Sequence, residues 1–219
     1  MMTHKAPLHP TVTKADHLPT VIVVDDDVAI REALTDLVES AGYAVVAFGS
    51  TQDLLRSDTL DMPGCLILDV RMPGASGLEL QRQLQRNGNP KPVIFLTGFG
   101  DIPMSVDAMK AGAIDFLTKP VRDQTLLDAI ALALAKDGEL RAAAAKRQVI
   151  LDLLDTLTPR ELEVLKHVAK GRLNKQIAFD LTISEVTVKL HRSNAMRKMG
   201  LRSVSDLIHA WQSLPEYFH

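Results

Sequence analysis

The 219-residue sequence holds a single cysteine, Cys65. A lone thiol forms no internal disulfide, which excludes a disulfide-stapled scaffold, and no stretch reads as a secretory leader. A reducing, cytoplasmic setting is expected. Long hydrophobic runs are also missing. The longest uncharged apolar stretch near the middle, Ala129 to Ala135, falls far below the ~18 residues of a membrane helix, so no membrane partner is expected. Net charge of either sign is small, at −2. That value hides an asymmetry: residues 1–157 carry 15 Lys+Arg against 21 Asp+Glu, and residues 158–219 carry 10 against 6. An acidic part followed by a basic one points to two domains, the second facing a polyanion, unless the scatter is ordinary. With 46% hydrophobic and 24% charged residues, a disordered or fibrous chain is excluded, and the length suits one or two domains.

In the first part, short apolar runs alternate with helical spacing. The runs are Val21–Val24, Ala44–Phe48, Leu66–Leu68, Val93–Leu96 and Ile114–Leu117. Between them, positions such as Val28, Leu34, Leu37, Val38 and Ala41 recur at helical intervals. Ser76 with Glu79 fits a capping box, Ser50 with Asp53 resembles one, and Gly42 stands where the first helix should stop. Five strands alternating with helices imply a parallel sheet covered on both faces.

Ligands of such sheets gather at the carboxyl ends of the strands. There the sequence puts Asp25, Asp26 and Asp27 after strand one and Asp69 after strand three. Thr97 and Gly98 end strand four, and Thr118, Lys119 and Pro120 end strand five. Each Asp alone could be a cap. Together, three neighbouring carboxylates repel unless a counter-charge joins them, and a hard divalent ion with oxygen ligands, Mg²⁺, suits the set. One lysine fits as a point charge for a carboxylate or phosphoryl oxygen. A carboxylate beside Mg²⁺ is also a nucleophile towards phosphorus.

The phrases Val23-Val24-Asp25-Asp26-Asp27, Leu68-Asp69-Val70-Arg71-Met72-Pro73-Gly74, Leu96-Thr97-Gly98 and Asp115-Phe116-Leu117-Thr118-Lys119-Pro120 resemble the response-regulator receiver domain, from about Thr20 to Lys136. The resemblance implies a flavodoxin-like, doubly wound, five-stranded receiver with Asp69 as phospho-acceptor. It implies Mg²⁺ held by Asp25, Asp26, Asp69 and the backbone carbonyl of Arg71. Thr97 would bond the phosphoryl group, Lys119 would pair with it, and Gly98 would leave it access. Phe116 matches the aromatic switch position, although alone it reads as a core aromatic. Lys119-Pro120 is expected to be cis. Asp27 either joins the acids or starts the next helix.

From Thr125 to Leu157 the pattern is mostly helical, with a possible break at Asp137-Gly138. It either extends the receiver helix or forms a separate hinge-linked helix. Thr158-Pro159-Arg160-Glu161 is a strong helix start, and that helix stops at Gly171. Asn174–Leu181 gives a second helix, and Ser184 caps a third running to about Met199. Ser203 or Ser205 begins a fourth. Two short helices joined by a tight turn form a helix-turn-helix, whose second helix fits the major groove. From Arg172 to Arg202 there are 7 Lys+Arg against 2 Asp+Glu, which alone could be a solvated face.

The wording there is more specific. Leu157-Thr158-Pro159-Arg160-Glu161, Asn174-Lys175-Gln176-Ile177-Ala178, Thr187-Val188-Lys189 and Lys198-Met199-Gly200 resemble the LuxR-type DNA-binding domain. With the receiver, the chain resembles a response regulator of the FixJ/NarL subfamily. By that resemblance Lys189, Leu190 and Ser193 approach base edges, while Lys175, Thr187 and Arg192 bond phosphates. His191 reads as structural or phosphate-facing. Ala195 departs from the family's larger aliphatic.

Residues 1–19, polar and carrying Pro7, Pro10 and Pro19, read as a flexible tail, and the resemblance divides the rest into the receiver (20–136), a mostly helical linker (137–156) and an all-α, four-helix DNA-binding domain (157–219). It implies a transcription regulator phosphorylated on Asp69 by a sensor histidine kinase, binding double-stranded promoter DNA, and a homodimer when phosphorylated. The alternative from the acids alone is a Mg²⁺-dependent phosphohydrolase passing through an aspartyl phosphate.

Overall fold

The computed structural model describes residues 18–74, 76–98 and 102–214. The expected tail, through residue 17, lies outside them. The chain divides into two compact units, residues 1–140 and 141–219.

The first unit alternates strand and helix, and its last helix continues past residue 140 into the second. In order these are β1 (Thr20–Val24), α1 (Val28–Ser40), β2 (Ala44–Phe48), α2 (Thr51–Leu55), β3 (Gly64–Leu68), α3 (Gly77–Arg86), β4 (Val93–Thr97), α4 (Ile102–Lys110), β5 (Asp115–Thr118) and α5 (Asp123–Asp155). A 3-10 turn, Asp58–Asp61, precedes β3. The five strands form one parallel sheet in the order β2-β1-β3-β4-β5, the flavodoxin-like arrangement. Successive strand side chains point to opposite faces. Ile22, Val24, Leu66, Leu68 and Phe95 therefore pack with Leu54, Leu80, Leu84 and Ala108 from α2, α3 and α4. Val21, Val23, Ile67, Ile94 and Leu96 meet Leu34 and Val38 of α1, and Leu126, Ile130 and Ala133 of α5. Each such fully buried aliphatic contributes ~1.5–3 kcal/mol. β1, β3 and β4 are buried along their whole length, whereas β2 is an edge strand that exposes Ala44, Val46 and Ala47. Cys65 is buried, and desolvation pushes its thiol up to about 12, so it stays a protonated core residue.

Of the two alternatives at Asp137-Gly138, a break or an extension of the receiver helix, the structure has the extension: α5 runs unbroken from Asp123 to Asp155. A single glycine costs a helix only ~1 kcal/mol. Asp137 is held elsewhere, since its buried carboxylate accepts from the Gly64 N–H at the start of β3 (2.8 Å). Lys91, also buried, donates to the carbonyls of Leu60 and Met62 just before β3.

The second unit contains α6 (Pro159–Ala169), α7 (Asn174–Leu181), α8 (Glu185–Lys198) and α9 (Val204–Gln212). Its core joins Val164, Leu165, Ile177, Val188, Leu207 and Trp211, with Leu154 from the end of α5. Ala195 is wholly buried within it. Thr158 and Glu161 complete a capping box, and Ser203 rather than Ser205 caps α9. Thr182, after α7, holds φ +54°, a left-handed conformation that costs a β-branched residue ~1 kcal/mol or more. It makes the tight turn that lets α8 follow at once.

Candidate functional site

Parallel strands bring their carboxyl ends to one rim. The register Val24↔Leu68 sets Asp25 beside Asp69, and Leu96↔Leu117 with Thr97↔Thr118 brings Lys119 alongside. The Lys119 N–H donates to the Thr97 carbonyl (2.9 Å), which ties the two strand ends together. The peptide bond between Lys119 and Pro120 is cis. Six residues expected here, Asp25, Asp26, Asp69, Arg71, Thr97 and Lys119, line one cavity of about 340 Å³. Asp27 and Gly98 border the same cavity.

Lys119 bridges the two buried acids. Its Nζ donates to Asp25 Oδ2 at 2.6 Å and to Asp69 Oδ2 at 2.8 Å. Burial lowers the lysine's pKa, but the hydrogen bonds and charges of Asp25 and Asp69 outweigh it, and the value is raised. The ammonium is therefore charged through the neutral range. Asp25 Oδ1 accepts from the Asp27 N–H (3.0 Å), and Asp69 Oδ1 accepts from the Arg71 N–H (3.1 Å). Carboxylate oxygens of Asp25, Asp26 and Asp69 lie within 4.8 Å of one another. Three carboxylates against one ammonium leave a surplus of negative charge that a divalent cation would neutralise.

Asp27 is a cap: its Oδ1 accepts from the N–H groups of Ala29 (2.9 Å) and Ile30 (3.2 Å). Phe116 is half-buried, its ring tilted against Phe95 with centroids 6.1 Å apart. Two contributors were missed from sequence. A Cβ at Gly77 would lie 2.3 Å from the Asp69 carbonyl oxygen, so only glycine lets α3 start against the acceptor's backbone. Arg31 donates to the Asp25 carbonyl oxygen at 2.6 Å. A glycine opening a capped helix was a readable signal for the first, and nothing local marked the second.

In the second unit α7 and α8 form the helix-turn-helix. Ser184 caps α8 by accepting from the Thr187 N–H (3.0 Å), and the two hydroxyls are 2.8 Å apart. Lys189, Leu190 and Ser193 are exposed at i, i+1 and i+4 and so share one outward face. Leu190 is 59% exposed. Lys175 is exposed on α7, while Thr187 and Arg192 are half-buried, with Arg192 donating to Asn174 Oδ1 (3.1 Å). Part of the basic surplus is structural. Lys198 pairs with buried Glu161 (2.6 Å) and Arg172 with Asp180 (3.0 Å). The bond from Lys198, then those at Thr158, hold the Glu161 carboxyl below its ordinary pKa. His191 is half-buried on α8, and the described residues place no cluster of metal-ligating groups around it.

Comparison with known proteins agrees with both halves. Residues 21–131 match the response regulator receiver domain, and residues 155–211 match the luxR family of bacterial regulatory proteins. Nodulation protein W of Bradyrhizobium diazoefficiens is 48% identical over 202 residues, covering 92% of this chain and 89% of that protein. Response regulator protein TodT of Pseudomonas putida is 46% identical over the same shares. Among solved structures, the response regulator StyR is 47% identical with a TM-score of 0.73, over 90% of this chain and all of that one. Full-length FixJ from B. japonicum is 38% identical with a TM-score of 0.54, over 89% and 96%. Among the described residues no helix is long and apolar enough to cross a membrane. This chain carries an acid-lined rim in one unit and a helix-turn-helix in the other, its relatives align along almost the whole of it, and it belongs to the response regulators, as a receiver domain joined to a luxR-family DNA-binding domain that regulates transcription.

Proposed function

We propose that Asp69 accepts a phosphoryl group from a sensor histidine kinase and that this switches DNA binding by the second unit. The observation that carries the reading is the bridge of Lys119 between Asp25 and Asp69 inside a cavity that Thr97 also lines. Asp25, Asp26, Asp69 and the Arg71 carbonyl would hold Mg²⁺. When bound, Mg²⁺ offsets the charge of the acceptor and the incoming phosphoryl oxygens. An Asp69 carboxylate oxygen forms the new bond to phosphorus, and the bond from phosphorus to the donor's leaving group breaks. Lys119 then pairs with a phosphoryl oxygen while keeping Asp25, and the Thr97 hydroxyl donates to another.

The pull on Thr97 passes to Phe116, and the face built from α4, β5 and α5 changes shape. Ile102, Val106 and Met109 support a role for that face. They are exposed by 79%, 42% and 46% at i, i+4 and i+7 of α4, an apolar stripe suited to a second copy. A dimer reads two half-sites about one helical turn apart, or a multiple of it. In each half-site Lys189, Leu190 and Ser193 approach base edges, and Lys175, Thr187 and Arg192 serve the phosphates. Turning a population from 1:99 to 99:1 takes ~5.5 kcal/mol, more than one phosphate's few charge-assisted bonds, so dimer and DNA contacts share the shift. The domains in this reading run 20–136, 137–156 and 157–219, and a cytoplasmic site of action follows from kinase and promoter.

The test is phosphoryl uptake from a small acyl phosphate donor. With Mg²⁺, we expect one base-labile phosphoryl group per chain, and with EDTA essentially none. Equal uptake in EDTA would remove the metal from the account.

A further inference from the structure

The acids of the rim are only as well placed as the turn that carries them. Four polar groups of Asp25 are committed at once. Its N–H donates to the Phe48 carbonyl of β2 (3.2 Å). Its Oδ1 accepts from the Asp27 N–H, and its Oδ2 accepts from Lys119. Its carbonyl oxygen accepts from Arg31 Nη1 at 2.6 Å. The last bond is the least expected. Arg31 sits in the first turn of α1, half-buried, and does not line the acid cavity. Its guanidinium rests beside Gly49, directly after β2, where a Cβ would lie 3.7 Å from Nη1. Its own N–H donates to the Asp27 carbonyl (3.0 Å), so one residue fastens the 25–27 turn by backbone and side chain together.

We propose that Arg31 is a positioning residue for the cation site. It acts through the backbone of Asp25 to fix where the Asp25 and Asp26 carboxylates stand relative to Asp69. The inference rests on the reading that these three acids take Mg²⁺. A cationic side chain beside an anionic site has two opposed effects, and their signs separate them. As a charge, Arg31 repels a cation, so its removal should tighten Mg²⁺ binding. As a clamp on Asp25, it pre-organises the ligands, so its removal should weaken binding.

The experiment is a calorimetric titration of the full-length chain with MgCl₂, comparing wild type, Arg31→Ala and Arg31→Lys, with thermal melts as a control for folding. Arg31→Ala is expected to weaken Mg²⁺ binding about tenfold, the scale of one charge-assisted hydrogen bond. Arg31→Lys keeps the charge but loses the rigid fork, and is expected to weaken binding on the order of threefold. It carries the test if the alanine variant does not fold. Wild-type binding with unchanged or tighter binding in the variants overturns the inference and leaves the cation site standing. A wild-type chain that takes no Mg²⁺ overturns the cation site, and the inference with it.

Discussion

Asp69→Asn is expected to take up no phosphoryl group from any donor, with the fold intact. The amide is nearly isosteric with the carboxylate, and its oxygen can still accept the Arg71 N–H that Asp69 Oδ1 accepts now. Lys119 keeps Asp25, its 2.6 Å partner, so no buried ammonium is stranded. What is lost is the nucleophile, because a neutral amide oxygen does not displace a leaving group from phosphorus under these conditions. Uptake should therefore fall below detection, while the thermal midpoint moves by no more than about the 2–4 °C of a 1 kcal/mol change. Losing one of three crowded carboxylates also weakens any Mg²⁺ held there. Stoichiometric phosphorylation of the variant would move the acceptor to another residue, with Asp26 next in line on the rim.

The largest expected effect on stability lies at the opposite end of the sheet. Gly64 opens β3 at φ +141°, a region that L side chains rarely adopt. A Cβ there would stand 1.8 Å from the Thr20 carbonyl oxygen and 2.7 Å from its carbonyl carbon. Those atoms are backbone of the registered neighbour β1, so no side chain can swing away. Gly64→Ala must separate the starts of two central strands and disturb the bond from Gly64 to Asp137. We expect a loss of ~3–4 kcal/mol or more, out of the ~5–15 kcal/mol typical of a domain. Gly42→Ala is the matched control. It also has positive φ, +84°, but a Cβ there meets nothing within 4 Å, so it should cost only ~1 kcal/mol. Urea melts of the full-length chain separate the two, and equal losses would mean that backbone conformation rather than the contact with Thr20 sets the cost.

The acid pocket was legible because its parts are strand ends. Apolar runs located β1, β3, β4 and β5, and in a parallel sheet whatever follows each run must meet at one rim. Asp25, Asp69, Thr97 and Lys119 therefore came together from their places in the sequence alone. Helix starts were equally readable, since Thr158, Ser184 and Ser203 cap through groups three residues away. What stayed hidden depends on partners distant in sequence. Asp137 looked like a helix breaker, because its acceptor role towards Gly64 spans 73 residues. The pairing of Lys198 with Glu161 spans 37, so Lys198 read as one more cation on a basic face. The edge position of β2 was not readable either, because nothing in Ala44–Phe48 says that the sheet ends there. Arg31 was invisible for another reason: it bonds a backbone oxygen, which any residue at position 25 would supply.

The central claim is that charge at Asp69 controls DNA binding by the second unit. The most direct test measures DNA affinity and mass in solution for wild type and Asp69→Asn, each with and without beryllofluoride and Mg²⁺. Beryllofluoride mimics the phosphoryl group on the acceptor carboxylate. The account predicts that wild type alone shifts to a dimer and binds a selected DNA sequence more tightly. Identical mass and affinity in all four samples would contradict it.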